Sequence, residues 1–111
     1  MTIKNKTKKT VLASNACFIT TEKERIKGLI GEKKSKTIVF ETRFGIHTFF
    51  MKFPIDVIIL NESNEVVALK GEMKPNRIFV WNPKHKLVTE LPTGTLRKTQ
   101  TEVGDKITMK Q

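Results

Sequence analysis

The chain has 111 residues, 38% of them hydrophobic and 29% charged, and its 21 lysines and arginines outnumber 11 acidic side chains for a formal net charge of +10. A chain of this length can bury about 60–65% of its unfolded surface around one core, and the composition excludes a disordered polypeptide. No apolar run approaches the roughly 18 residues of a membrane span, and a single cysteine, Cys17, excludes both an internal disulfide and a cysteine-based zinc site.

The basic excess is uneven. Residues 1–36 hold ten basic and three acidic side chains, whereas residues 37–111 hold eleven and eight. Lys4, Lys6, Lys8 and Lys9 crowd residues 1–9, where Ile3 is the only apolar residue after Met1, and this stretch is expected to be a basic flexible tail. Residues 10–111 are expected to form a single β-rich domain. The segment Val11-Leu12-Ala13-Ser14-Asn15-Ala16-Cys17 is too interrupted by Ser14 and Asn15 to serve as a secretion signal, so a cytoplasmic location is expected.

Residues 10–19, with Val11, Phe18 and Ile19, predict a first strand. Thr21 and Glu24 then make a Thr-x-x-Glu capping box, Ile26, Leu29 and Ile30 follow at helical spacing, and Gly31 is placed to end the turn. This is the clearest helix signal in the chain, and it predicts one short α-helix near the N-terminus. Beyond it the period falls to two. Strands are predicted at 37–41, 46–52, 55–61, 66–70, 78–81, 86–91 and 107–109, with turn-forming clusters such as Lys74-Pro75-Asn76 and Asn82-Pro83-Lys84 between them. Many short strands and one helix predict a mainly β fold, a β-sandwich or partly closed barrel.

Polar residues set among apolar ones mark the candidate site, because burying a polar group without a partner costs about 2–7 kcal/mol. On an extended strand His47 would share an inward face with Phe49 and Met51 while Lys52 turns to water. Asp56 opens the run Val57-Ile58-Ile59-Leu60, so it either caps backbone N–H groups at a turn or pairs with Arg25, Arg77 or His47. Glu90 lies between Leu87-Val88 and Leu91-Pro92, either facing solvent or joining His47 and Asp56 in acid–base or metal chemistry. Ligand spacing of the His-x-x-x-His or Glu-x-x-His type is lacking, so neither a metal nor a cofactor is expected. Gly28-Leu29-Ile30-Gly31 lies at a helix end and cannot present free N–H groups to a phosphate. Phe49, Phe50, Phe53, Phe79 and Trp81 are read as core rather than as a base-stacking platform.

Two segments carry a family likeness. Glu24-Arg25-Ile26-Lys27-Gly28-Leu29-Ile30 resembles the Arg-x-x-Gly-Leu-Met helix end of the domain of unknown function 192 family. His47-Thr48-Phe49-Phe50-Met51-Lys52-Phe53-Pro54-Ile55-Asp56-Val57 resembles its central His-Thr-Phe-x-Met-Arg-Phe-Pro-Ile-Asp motif. Glu65-Val66-Val67, Val88-Thr89-Glu90-Leu91-Pro92-Thr93-Gly94 and Val103-Gly104-Asp105 follow in the family's order. The resemblance implies a compact β-rich domain with one helix, and it puts Arg25, His47, Asp56, Glu90 and Gly94 at motif positions. It implies no activity. Three functions therefore stand as expectations: a ligand-binding or structural/interaction module with a polar cleft, a hydrolase-type or metal-assisted enzyme using His47 with Asp56 or Glu90, and non-specific nucleic-acid binding through the basic surface. A small ligand or a protein is the expected partner of the first.

Overall fold

The structure is a computed structural model that describes residues 1–20 and 36–111. The predicted helix after Thr20, with Arg25 on it, lies outside the described residues. The strands are β1 (Thr2–Asn5), β2 (Thr10–Ala13), β3 (Cys17–Phe18), β4 (Ile38–Glu41), β5 (Ile46–His47), β6 (Ile55–Leu60), β7 (Val66–Met73), β8 (Ile78–Phe79), β9 (Leu87–Pro92) and β10 (Ile107–Lys110). One short helix, α1 (Thr95–Thr99), follows β9. It lies near the C-terminus, where no helix is predicted from the sequence.

A five-stranded sheet in the order β3-β4-β9-β6-β7 forms the middle layer, antiparallel except for the β3–β4 pair. All six residues of β6 are buried, so both faces of this sheet are covered and the two faces can be assigned from register. On one face Val39, Ile58, Leu60 and Leu91 pack against Ile3, Leu12, Ile107 and Leu96, from a three-stranded β10-β1-β2 sheet and from α1. On the other, Ile38, Phe40, Val57, Ile59 and Val88 pack against Ile46, Met51 and the partly buried Phe79 and Trp81, which belong to the two-stranded β5–β8 ribbon and its flanks. Sheet packs on sheet, but the five-stranded sheet ends in β3 and β7 and is open. The expected alternative of a partly closed barrel is thus corrected among the described residues.

The basic stretch before Thr10 is not a loose tail. Ile3 and Asn5 are fully buried while Lys4 points out, which is the period-two pattern of a half-buried strand. The N-terminal ammonium donates to the Ala16 carbonyl at 2.8 Å. Asn5 Nδ2 donates to Thr101 Oγ1 at 3.0 Å and to Asp105 Oδ2 at 2.8 Å, and Lys8 Nζ reaches both Asp105 Oδ1 and Glu102 Oε1. Burial would raise the Asp105 carboxyl, but the bonds from Asn5, Lys8 and the Glu102 N–H outweigh it and hold the group below its ordinary range.

Candidate functional site

Asp56 is the second residue of β6 and is 1% exposed. Its neighbour β7 carries one extra residue here: Ile55 pairs with Met73 but Val57 pairs with Lys70, so Gly71 and Glu72 together oppose Asp56. Glu72 adopts a left-handed φ of 52° at this bulge. Its N–H, turned out of the ladder, donates to Asp56 Oδ1 at 2.8 Å. The other oxygen, Oδ2, accepts the Leu96 N–H at 2.8 Å. That second bond is an N-cap supplied from 40 residues away. Helix α1 opens at Gly94, which has φ of 90° and no side chain to cap with, so its exposed N–H groups need an outside acceptor. Of the two expected kinds of partner, a basic side chain or a backbone donor, the structure supplies backbone donors at both oxygens.

Gly94 and Asp56 come together. With Gly71, Glu72, Leu96 and Arg97 they line a shallow cleft of about 370 Å³, at whose mouth Arg97 Nη2 and Glu72 Oε1 pair at 3.0 Å. Asp56 lies at its floor with both oxygens bonded, so the carboxylate holds a bulge and a helix start in place.

Glu90 is fully buried rather than solvent-facing. The expectation rested on period two, but β9 is flanked by β4 and β6 and covered on both faces, so alternation along it separates two interiors. Glu90 pairs in register with Val57, Asp56 with Leu91. Cross-strand partners point the same way and consecutive residues opposite ways. Glu90 therefore projects into the Val57 face and Asp56 into the Ile58 face. The two carboxylates are on opposite sides of the central sheet.

His47 differs from its predicted setting in a related way. Strand β5 ends at His47, and Thr48–Met51 form a turn closed by the Met51 N–H on the Thr48 carbonyl at 3.3 Å. The buried polar residue here is Thr48, whose hydroxyl donates to the Lys74 carbonyl at 2.7 Å and accepts the Arg77 N–H at 2.9 Å. His47 is partly exposed, stacked on Phe49 at 4.9 Å, and its Nδ1 accepts the Phe49 N–H at 3.3 Å. Phe49 and Phe50, read as core residues, are exposed. No group of three His, Cys, Asp or Glu side chains among the described residues is arranged around a metal position. Sequence reasoning passed over Thr48, Asn5 and Asp105. A signal for Thr48 existed in its position inside the motif, and for Asn5 in its place two residues after Ile3.

The DUF192 family profile, described as an uncharacterized ACR, matches residues 2–109. The chain belongs to the DUF192 family. Relatives include a UPF0127 protein of Thermococcus sibiricus, 37% identical over 110 residues covering 93% of this chain and 71% of that protein. The UPF0127 protein PF1050 of Pyrococcus furiosus is 37% identical over 90 residues, covering 76% of this chain and 77% of the relative. Among solved structures, a protein of unknown function from Novosphingobium aromaticivorans superposes with a TM-score of 0.79 at 15% identity, over 97% of this chain and 82% of that one. This DUF192 chain thus shares its fold with a protein of very different sequence, and the match spans both packed faces of the central sheet.

Proposed function

We propose that this protein is a non-enzymatic binding or interaction module, in which the polar motif residues hold a surface in shape rather than react. The observation that carries this reading is the engagement of both Asp56 oxygens by backbone N–H groups at 2.8 Å, from Glu72 and Leu96. A carboxylate so bonded has a structural task already, and it shapes the floor of the cleft it lines with Gly94. The division of Asp56 and Glu90 between opposite sheet faces argues against the enzyme alternative in which they act as a pair, because acid–base partners must converge on one substrate position.

The test is thermal unfolding of Asp56→Asn beside wild type at one pH and salt. An amide keeps one acceptor and turns an NH₂ toward the other N–H, so a loss of about 1–3 kcal/mol is expected. A variant as stable as wild type, or more so, would overturn the reading, since removing a reactive group from a working site commonly leaves stability unchanged or raises it.

A further inference from the structure

We propose that the outer face of the β5–β8 ribbon, with the turn that follows β5, docks on an anionic lipid surface. This deepens the binding-module reading and rests on it, by naming the face and the partner.

The face is assembled from register. His47 pairs with Ile78, so their side chains share the side of the ribbon opposite Ile46 and Phe79, which pack inward. Val80 follows on that outer side, and Gly45 lies under it: a Cβ there would come within 2.8 Å of Val80 Cγ1. The Phe49 ring stacks on His47 and Phe50 continues from it. Ile78 is 67% exposed, Val80 65% and Phe50, in the turn after β5, 71%. Single exposed apolar residues are ordinary, but several carried by one short ribbon and the turn that follows it point to an interaction surface.

Phe50 adds an independent observation. It holds a left-handed φ of 71°, a conformation costly for a bulky side chain. Folding gains nothing from an exposed phenylalanine in that conformation, and docking on an outside surface would give it a use.

Charge selects the partner. Between residues 42 and 55 and between 74 and 85 the charged residues are Arg43, Lys52, Lys74, Arg77 and Lys84, all basic; Glu41 and Glu62 share a surface pocket with Arg43 and Lys84, which leaves Lys52, Lys74 and Arg77 as the basic rim proper. Backbone bonds hold these positions to the ribbon: Thr48 bonds the carbonyls of Lys74 and Arg77, and Arg43 bonds those of Pro83 and Lys84. None of the five is in an ion pair among the described residues. A polyanion fits this rim. Single-stranded nucleic acid would use the phenylalanines as stacking platforms, but Ile78 and Val80 offer no π-face to a base. A bilayer interface accepts aliphatic and aromatic side chains alike, with lysines and arginines reaching the headgroups.

Sedimentation of the full chain with vesicles tests this, using phosphatidylcholine alone and phosphatidylcholine mixed equally with phosphatidylglycerol, at low and high salt. Wild type should sediment with the mixed vesicles, stay in solution with the neutral ones, and be released by salt. Phe50→Gly and Ile78→Ser should each weaken binding about tenfold, while their melting temperatures stay at or above that of wild type. No sedimentation, or sedimentation that Phe50→Gly leaves undiminished, would overturn the proposal. So would Phe50-dependent binding to a single-stranded oligonucleotide without binding to vesicles, or variants that melt well below wild type. Any of these leaves the Asp56→Asn result untouched, and a fully stable Asp56→Asn would sink the bracing argument without touching the vesicle result.

Discussion

Both sides of the central sheet bury polar groups, Glu90 on the ribbon side and Asp56 on the other, but they differ in what they leave outside. On the side covered by β1, β2, β10 and α1, polar groups are taken in and bonded: Asp56 to Glu72 and Leu96, Asn5 to Thr101 and Asp105. On the side covered by the β5–β8 ribbon, apolar groups are left out: Ile78, Val80, Phe49 and Phe50 face water. A buried polar group with every atom bonded has its reason inside the fold. For the exposed Phe50, held at a left-handed φ of 71°, the reason we propose lies outside it. Motif membership does not separate the two, since Asp56 and Phe50 belong to the same eleven-residue motif, His47 to Val57.

The contrast can be broken at either side. The largest effect is expected from Asp56→Ala, which removes both acceptors and strands the buried Leu96 N–H and the part-buried Glu72 N–H, at about 1–3 kcal/mol each. Denaturant unfolding should show a loss of roughly 3–4 kcal/mol, greater than that of Asp56→Asn. A loss no larger than an ordinary surface substitution would mean that the bulge and α1 stand without their cap.

Next comes the Asp105 network, with a loss of roughly 2–3 kcal/mol for Asp105→Ala at neutral pH. Its pH dependence has a definite sign. The folded carboxyl lies below its ordinary value of 3.8, so its contribution is present above that pH and disappears as pH falls through the folded value. Lys8 is raised above 10.5 by its bonds to the Glu102 and then the Asp105 carboxylate, so its share is present below that value and lost as pH rises through the folded one. Melting temperature recorded down the acid limb should fall more steeply in wild type than in Asp105→Asn. Parallel limbs would contradict the assignment.

The smallest effect sharpens the ribbon side. Gly45 has φ of 95°, and a Cβ would meet the Phe79 carbonyl oxygen at 2.9 Å as well as Val80 Cγ1 at 2.8 Å. Gly45→Ala is therefore strained twice over and should cost about 1–3 kcal/mol by calorimetry. A neutral result would show that the ribbon can shift without loss, and that its outer face is not held in one shape.

How much of this could be read beforehand depended on whether the local signal agreed with the packing. Strands β4, β6, β7, β9 and β10 carry β-branched runs bounded by turn residues, and each lies within a residue or a few of its predicted span. Strand β1 was hidden by its charge: Lys4, Lys6, Lys8 and Lys9 read as a solvated tail, although Ile3 and Asn5 alternate inward. Helix α1 was hidden for a different reason. It is five residues long, its Gly94 cap offers no side chain, and the acceptor it needs comes from Asp56 on another strand. The motif residue Asp56 was legible as special because a carboxylate before four aliphatic residues has few innocent explanations. Which of its readings held depended on a bulge in β7, and bulges leave no mark in the sequence of the strand they face. His47 misled because one left-handed residue, Phe50, ends the alternation on which its inward assignment relied.

The pairing of the outermost strands has a mechanical side. In the antiparallel β1–β10 pair, Thr2 lies opposite Lys110, so both ends of the described chain leave the fold at the same corner. A tether pulling them apart would load the ladder across the strands, opening its hydrogen bonds one after another like a zipper instead of shearing them together. The same adjacency lets a short peptide join the two ends with little entropic cost, so new termini could be opened in an exposed turn such as that around Asn82 while the three-stranded sheet stays whole.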